Sequence, residues 1–157
     1  TSTDDAQARP ATIADAFLLH DRDIVARYDD SVVRVAGGAR VCLRRARGYA
    51  PLPLKLPVTS PKRLIAVGPH LKNTFTLVQG DDAYVSQHIG DLENLETLTH
   101  WRAALDAYRR LFRLEPEVAV RDMHPGYMST RIAGDLGLER IIALEMHSIP
   151  DIDRLTD

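Results

Sequence analysis

Three short stretches hold the residues whose types and spacing could do chemistry. In the first, Gly68-Pro69-His70-Leu71-Lys72-Asn73-Thr74, a lysine, an amide and a hydroxyl follow a Gly-Pro break. Free backbone amides beside a glycine, with a lysine ammonium, stabilise phosphoryl charge directly. Taken alone, the same residues also fit a plain surface turn with a solvated lysine. In the second, Ser86, His88, Asp91 and Asn94 fall within nine positions. A strand end places Ser86 and His88 on one side, two residues apart. His88 could accept a proton or donate to a carbonyl oxygen, and Asp91 could orient it. Asp91 or Asn94 could instead cap a following helix. The third is Asp122-Met123-His124-Pro125-Gly126-Tyr127, where a strand-end carboxylate and a loop histidine lie within reach of a ligand. Asp122 suits a metal or a ribose hydroxyl.

A fourth group is cationic. Arg44, Arg45 and Arg47 crowd into four positions ahead of Gly48. Such a cluster is either a charged edge strand, protected from aggregation, or an anion site built from guanidinium forks.

The elements that must carry these residues follow from periodicity. A helix-like piece lies around Ile13 to Phe17, after a polar start. Ser31 to Arg45 reads as a β-hairpin turning at Gly37-Gly38. Tyr49 to Pro61 holds four of the chain's prolines, so it is expected to be an extended connector with a domain boundary near Pro57 to Pro61. Three short strands are then expected at Leu64 to Val67, around Phe75 and Leu77, and around Ala83 and Val85, with a turn at Gly80 to Asp82. Leu95, Leu98, Trp101, Leu105, Tyr108 and Phe112 recur at helical steps, which predicts a helix over Asn94 to Leu114, ended by Glu115-Pro116. Arg109, Arg110 and Arg113 near its end suit the helix dipole, and Trp101 reads as a core anchor. A strand at Glu117 to Asp122, a helix at Tyr127 to Leu136 and a strand at Ile141 to Leu144 complete a β-β-β-α-β-α-β order. That is the plan of a ribonuclease H-like half-domain.

At 157 residues the chain can bury a real core, and 45% hydrophobic with 27% charged residues is ordinary for a soluble protein. A net charge of -2 gives no general attraction to nucleic acid or acidic membranes. The single cysteine, Cys42, permits neither an internal disulfide nor a cysteine-based zinc site, and no apolar run is long enough to span a membrane. A cytoplasmic location without nucleic-acid or membrane partners is expected.

The text GPHLKNTF, then SQHIGDLENLET, then DMHPGY with Ser129-Thr130, resembles the HypF-type hydrogenase-maturation carbamoyltransferases, at the opening of their Kae-like ATPase-fold domain. The turn departs from the family's GGxLKNTF at Pro69-His70, which tightens it. ADAFLLHDR, DDSVVR and RRARGYAP resemble the last part of the family's YrdC-like domain. The resemblance implies an α/β chain with residues 1–57 closing a YrdC-like domain, 58–146 forming the first half of a Kae-like domain, and 147–157 a tail. It implies that Ser31, Arg44, Arg47, Gly68, Lys72, Asn73 and Thr74 face nucleotide phosphates. Ser86, His88 and Asp91 would be catalytic, with Asp122, His124 and Tyr127 facing substrate.

The same resemblance implies ATP with Mg2+ and carbamoyl phosphate as small-molecule partners. The carbamoyl group would pass to the C-terminal cysteine of a HypE-type protein. A divalent metal is expected in the family's His-rich motif, but the corresponding Glu145 to Asp151 keeps only His147, so no complete metal set is expected in this chain. The family's Lys-x-Arg and Ser-x-Asn motifs are absent too, so the sequence is expected to begin in mid-domain and to end in a stub after Leu144. A related small-molecule O-carbamoyltransferase, and a catalytically incompetent binding fragment able to self-associate, are the other readings.

Overall fold

The computed structural model describes residues 15, 16, 18, 21 and 26–144. Most of the helix expected around Ile13 to Phe17, and the tail with His147, lie outside the described residues. The elements are β1 (Val32–Ala36), β2 (Ala39–Arg44), β3 (Leu54–Ala66), β4 (Thr76–Val85), α1 (Leu95–Phe112), β5 (Val118–Asp122), α2 (Met128–Asp135) and β6 (Arg140–Leu144). β1 and β2 pair antiparallel as a separate ribbon. The other strands form a mixed sheet in the order β4-β3-β5-β6, with β3, β5 and β6 parallel.

The expected turn at Gly80 to Asp82 lies inside β4. Ser86 N donates to Phe75 O at 2.8 Å, and Phe75 N donates to Ser86 Oγ at 3.0 Å. An extended ten-residue strand would hold its ends about 33 Å apart, so the chain reverses within β4. Gly80, at φ +61, sits midway and takes the left-handed conformation that such a reversal needs. β3 wraps around this hairpin. Leu54 and Lys55 face Ala83 and Asp82 on one arm, Ser60 faces Gly80 at the tip, and Leu64 to Ala66 face Val78 to Thr76 on the other. Lys55 bridges Asp81 and Asp82 at the tip, at 3.0 and 2.9 Å.

The proline-rich stretch is therefore corrected in one respect. Leu54 to Pro61 is not an unpaired connector but the outer half of β3. The ladder loses register between Lys55 and Ser60 and again between Ser60 and Leu64. Pro57 and Pro61, which have no N–H to donate, fall in those two gaps.

α1 covers the sheet with the stripe read from its sequence. Asn94 caps it, its side chain accepting from Thr97 N at 2.7 Å. Arg113, at φ +50, ends it, and its backbone N–H bonds Arg109 O. Trp101, Leu105 and Tyr108 are buried against Ile65, Val67, Phe75 and Leu77. Phe75 is central: its ring meets those of Trp101 and Tyr108 edge-on, with centroids 5.5 and 5.2 Å away. α2 joins the same core through Ile132 and Ala133. This core fixes the carboxyl ends of β3 and β5, where the loops of interest leave the sheet.

Candidate functional site

The first loop leaves β3 as a strained, closely packed turn. Gly68 has φ +76, and a Cβ there would lie 1.9 Å from Thr74 O, so only glycine allows this approach. Asn73 is fully buried. Its amide donates to Val67 O at 2.9 Å and to Pro69 O at 2.6 Å, pulling the turn shut. Its backbone bridges to Gly90, through Asn73 N to Gly90 O and Ile89 N to Asn73 O, at 2.8 and 2.9 Å. Between these anchors Lys72 takes φ +51, unusual for a non-glycine residue. Its N–H is held by Asp91 Oδ1 at 2.7 Å. The turn thus fixes the backbone and leaves the lysine side chain exposed.

That lysine faces the arginines of the hairpin. Arg44, Arg45, Lys72, Thr74, Val85 and His88 line one open cleft of about 460 Å³. Arg45 is committed to structure, its guanidinium donating to Val85 O at 3.1 Å and to Leu52 O. Among the described residues, the ammonium of Lys72 and the guanidinium of Arg44 have no such partner, so two cations remain available to an anion.

The expected site residues separate into those that reach this cleft and those that build its walls. Arg44, Lys72, Thr74 and His88 reach it; Gly68 and Asn73 shape the turn that presents Lys72. Ser31 accepts from Ala46 N at 2.9 Å and donates to Arg47 O at 2.8 Å, so its hydroxyl folds the arginine segment back on itself. Arg47 points to Tyr28 O, at 3.3 Å, and to Asp30, at 3.7 Å. Ser86 is fully buried, donating to Gln87 O at 2.9 Å and accepting from Phe75 N. Its hydroxyl is occupied by the β4 reversal rather than offered to solvent.

The acid nearest His88 differs from the one expected. Its Nδ1 lies 3.5 Å from Asp29 Oδ2, and its backbone N–H bonds Arg45 O at 3.1 Å. Asp91, the expected orienting group, serves the Lys72 backbone instead. Nor does Asp91 cap α1, a task that falls to Asn94. Asp29 carried no sequence signal, because its segment comes back to His88 only through the folded hairpin.

The second cluster sits beside the first, at the end of β5. Asp122 Oδ1 accepts from His124 N at 2.7 Å, and Thr130 ties the loop down through Asp122 O and His124 O at 3.2 and 2.9 Å. His124 stacks on Tyr127, with centroids 4.1 Å apart. Tyr127 also stacks with His70, from the first turn. His70 is a site residue that composition and spacing did not single out beyond its place in the Pro69-His70 departure. No group of three or more His, Cys, Asp or Glu side chains among the described residues is placed to hold a metal ion. No helix among them is long and apolar enough to cross a membrane.

Comparison with known proteins matches residues 59–149 to the family described as the HypF Kae1-like domain. Among curated proteins, the chain is 45% identical over 134 residues to the carbamoyltransferase HypF of Synechocystis sp., covering 85% of this chain and 18% of that protein. It is 44% identical over 142 residues to carbamoyltransferase HypF2 of Cupriavidus necator, covering 88% and 18%. A solved full-length HypF, in a phosphate- and nucleotide-bound form, superposes with a TM-score of 0.83 at 44% identity, over 90% of this chain and 22% of that one. The HypF of T. kodakarensis superposes with a TM-score of 0.64 at 33% identity, over 74% and 16%. The chain therefore spans about a fifth of the length of the relatives it matches.

Proposed function

The chain belongs to the HypF Kae1-like domain family, and from that membership we propose that it is part of a carbamoyltransferase acting on ATP and carbamoyl phosphate. In this reading a carbamoyl adenylate is formed and its carbamoyl group passes to the C-terminal cysteine of a HypE-type protein during nickel-iron hydrogenase maturation. Residues 1–57 would close a YrdC-like unit and 58–146 would open the Kae-like one, in the cytoplasm.

The observation that carries the reading is the shared cleft. Arg44 comes from the hairpin and Lys72 and Thr74 from the turn after β3, so cations from the two proposed units meet across about 460 Å³. Lys72 and Arg44 would neutralise phosphoryl oxygens. The fixed backbone of Gly68 to Thr74 would present the lysine from one place before the ligand arrives, so little backbone ordering is needed on binding. His88, whose Nδ1 lies 3.5 Å from Asp29 Oδ2, would exchange a proton or hydrogen bond with the transferred group from its other nitrogen. Ser86 and Asp91 would keep that geometry without touching substrate.

The test is Lys72→Ala in the full-length protein, with ATP affinity measured by calorimetry. Loss of a charge-assisted contact should weaken binding by about 1–3 kcal/mol. Unchanged affinity would show that the turn faces something other than nucleotide.

A further inference from the structure

The two loops at the carboxyl edge of the sheet come from distant parts of the chain, and both must be fixed if they are to meet one ligand. The sheet itself stops short of them, its last bond there running from Val67 N to Val120 O at 3.0 Å. Beyond it, among the described residues, one hydrogen bond joins the loops: Met128 N donates to His70 Nδ1 at 3.2 Å. Met128 opens α2, whose N-cap residue, Tyr127, supplies no side-chain cap. His70 therefore satisfies one of the backbone N–H groups left without a partner at the start of α2, from 58 residues away.

His70 has further neighbours on both its ring and its backbone. Its ring lies parallel to Tyr127, with centroids 5.2 Å apart and 4° between planes, and Tyr127 stacks in turn on His124. Its Nε2 lies 3.5 Å from Glu93 Oε1, and its backbone carbonyl accepts from Leu92 N at 3.1 Å. A nitrogen that accepts from an amide carries no proton, so the ring hydrogen sits on Nε2, toward Glu93. His124 repeats the arrangement, its Nδ1 accepting from Gly126 N at 3.2 Å. Tyr127 thus pairs with a ring from each loop, and only His70 belongs to the loop that carries Lys72.

We propose that His70 is a positioning residue that locks the Gly68–Thr74 turn to the Asp122–Tyr127 loop, so that both present to the same ligand as one preformed edge. The ligand's identity rests on the reading above, whereas the coupling does not. Without the Nδ1 acceptor, the first turn of α2 loses that hydrogen bond and the second loop is tied to the first by ring stacking alone.

The experiment uses the full-length protein and three substitutions, followed by hydrogen–deuterium exchange and by ATP titration. His70→Ala removes acceptor and ring, His70→Asn keeps an acceptor near the Nδ1 position, and His70→Phe keeps a ring for Tyr127. In His70→Ala, exchange across residues 122–130 should speed up by about tenfold while α1 is unchanged, the scale expected for one lost hydrogen bond. ATP should bind more weakly by a factor of about three to ten. His70→Asn should recover most of both effects and His70→Phe little of either. Unchanged exchange in His70→Ala overturns the proposal. So does the reverse ranking, with His70→Phe close to wild type and His70→Asn as fast as alanine, since stacking alone would then hold the loops. If His70→Ala fails to fold, the ranking of Asn against Phe decides by itself. A silent Lys72→Ala would remove ATP as the ligand while leaving the exchange result standing.

Discussion

Among the described residues, the β1–β2 hairpin and the reversal within β4 have similar sequence cues and opposite fates. β1–β2 alternates valines around Gly37-Gly38, and β4 alternates apolar residues around Gly80. In β4 and its neighbours, Phe75, Leu77 and Ile65 are completely buried. In the first hairpin every residue is exposed, with Val35 at 73% and Leu43 at 63% of full accessibility. The strands are alike; what lies above them is not. α1 lays Trp101, Leu105 and Tyr108 over one hairpin, and no described element covers the other. Alternation specifies a strand, but burial has to come from a second layer. The exposed hairpin is held by its stem instead. Arg45 reaches Val85 O and Leu52 O, His88 N bonds Arg45 O, and Ala46 is fully buried.

The largest effect should follow from opening the covered hairpin. Phe75→Ala removes the ring between Trp101 and Tyr108 and should cost about 3–5 kcal/mol. The chain has one tryptophan, so the fluorescence of Trp101 in a urea titration reads that loss directly. A cost below about 1 kcal/mol, within the range of ordinary surface changes, would mean that the aromatic cluster does not separate the two hairpins energetically.

A smaller and more local effect is expected at the stem. Arg45→Ala deletes two charge-assisted bonds to carbonyls, a loss of about 1.5–3 kcal/mol confined to the hairpin. Limited proteolysis should then cut within 31–47 sooner, while exchange in α1 stays as it was. Equal loosening of α1 would make hairpin and sheet one cooperative unit and erase the contrast.

Much of this arrangement was readable because local signals agreed with the fold. The α1 stripe, its end before Pro116, the reversal at Gly80 and the mixed α/β class all follow from periodicity, prolines and glycines. The motifs GPHLKNTF and SQHIGDLENLET led to the family that the comparisons show. The outer half of β3 was missed because four prolines argue against a ladder, and the ladder answers by skipping register at two of them. The site was harder. Spacing brought Ser86, His88 and Asp91 together on paper, yet three-dimensional pairing sends Ser86 inward and Asp91 to Lys72. The partners that matter to His88 and to Met128, Asp29 and His70, stand 59 and 58 positions away respectively. No window of local sequence can contain such pairs.

The smallest expected effect lies in the seam between the two regions, where a second pocket of about 180 Å³ is lined by Arg27, Asp29, His88, Glu96, Thr97 and His100. Burial pushes the pKa of His100 below its ordinary value of 6.5, and the Arg27 charge lowers it further, with Asp29 pulling the other way. Between the lowered folded value and 6.5 the unfolded chain takes up a proton that the folded chain refuses. Stability contributed by neutral His100 is therefore present above 6.5 and is lost as pH falls through that window. The ring is only half-buried, so the slope should be shallow. His100→Gln should flatten the fall in urea midpoint between about pH 7.5 and pH 5.5 while leaving the value at the upper end nearly unchanged. Parallel curves for the two proteins would show that His100 does not set the acid sensitivity of the seam.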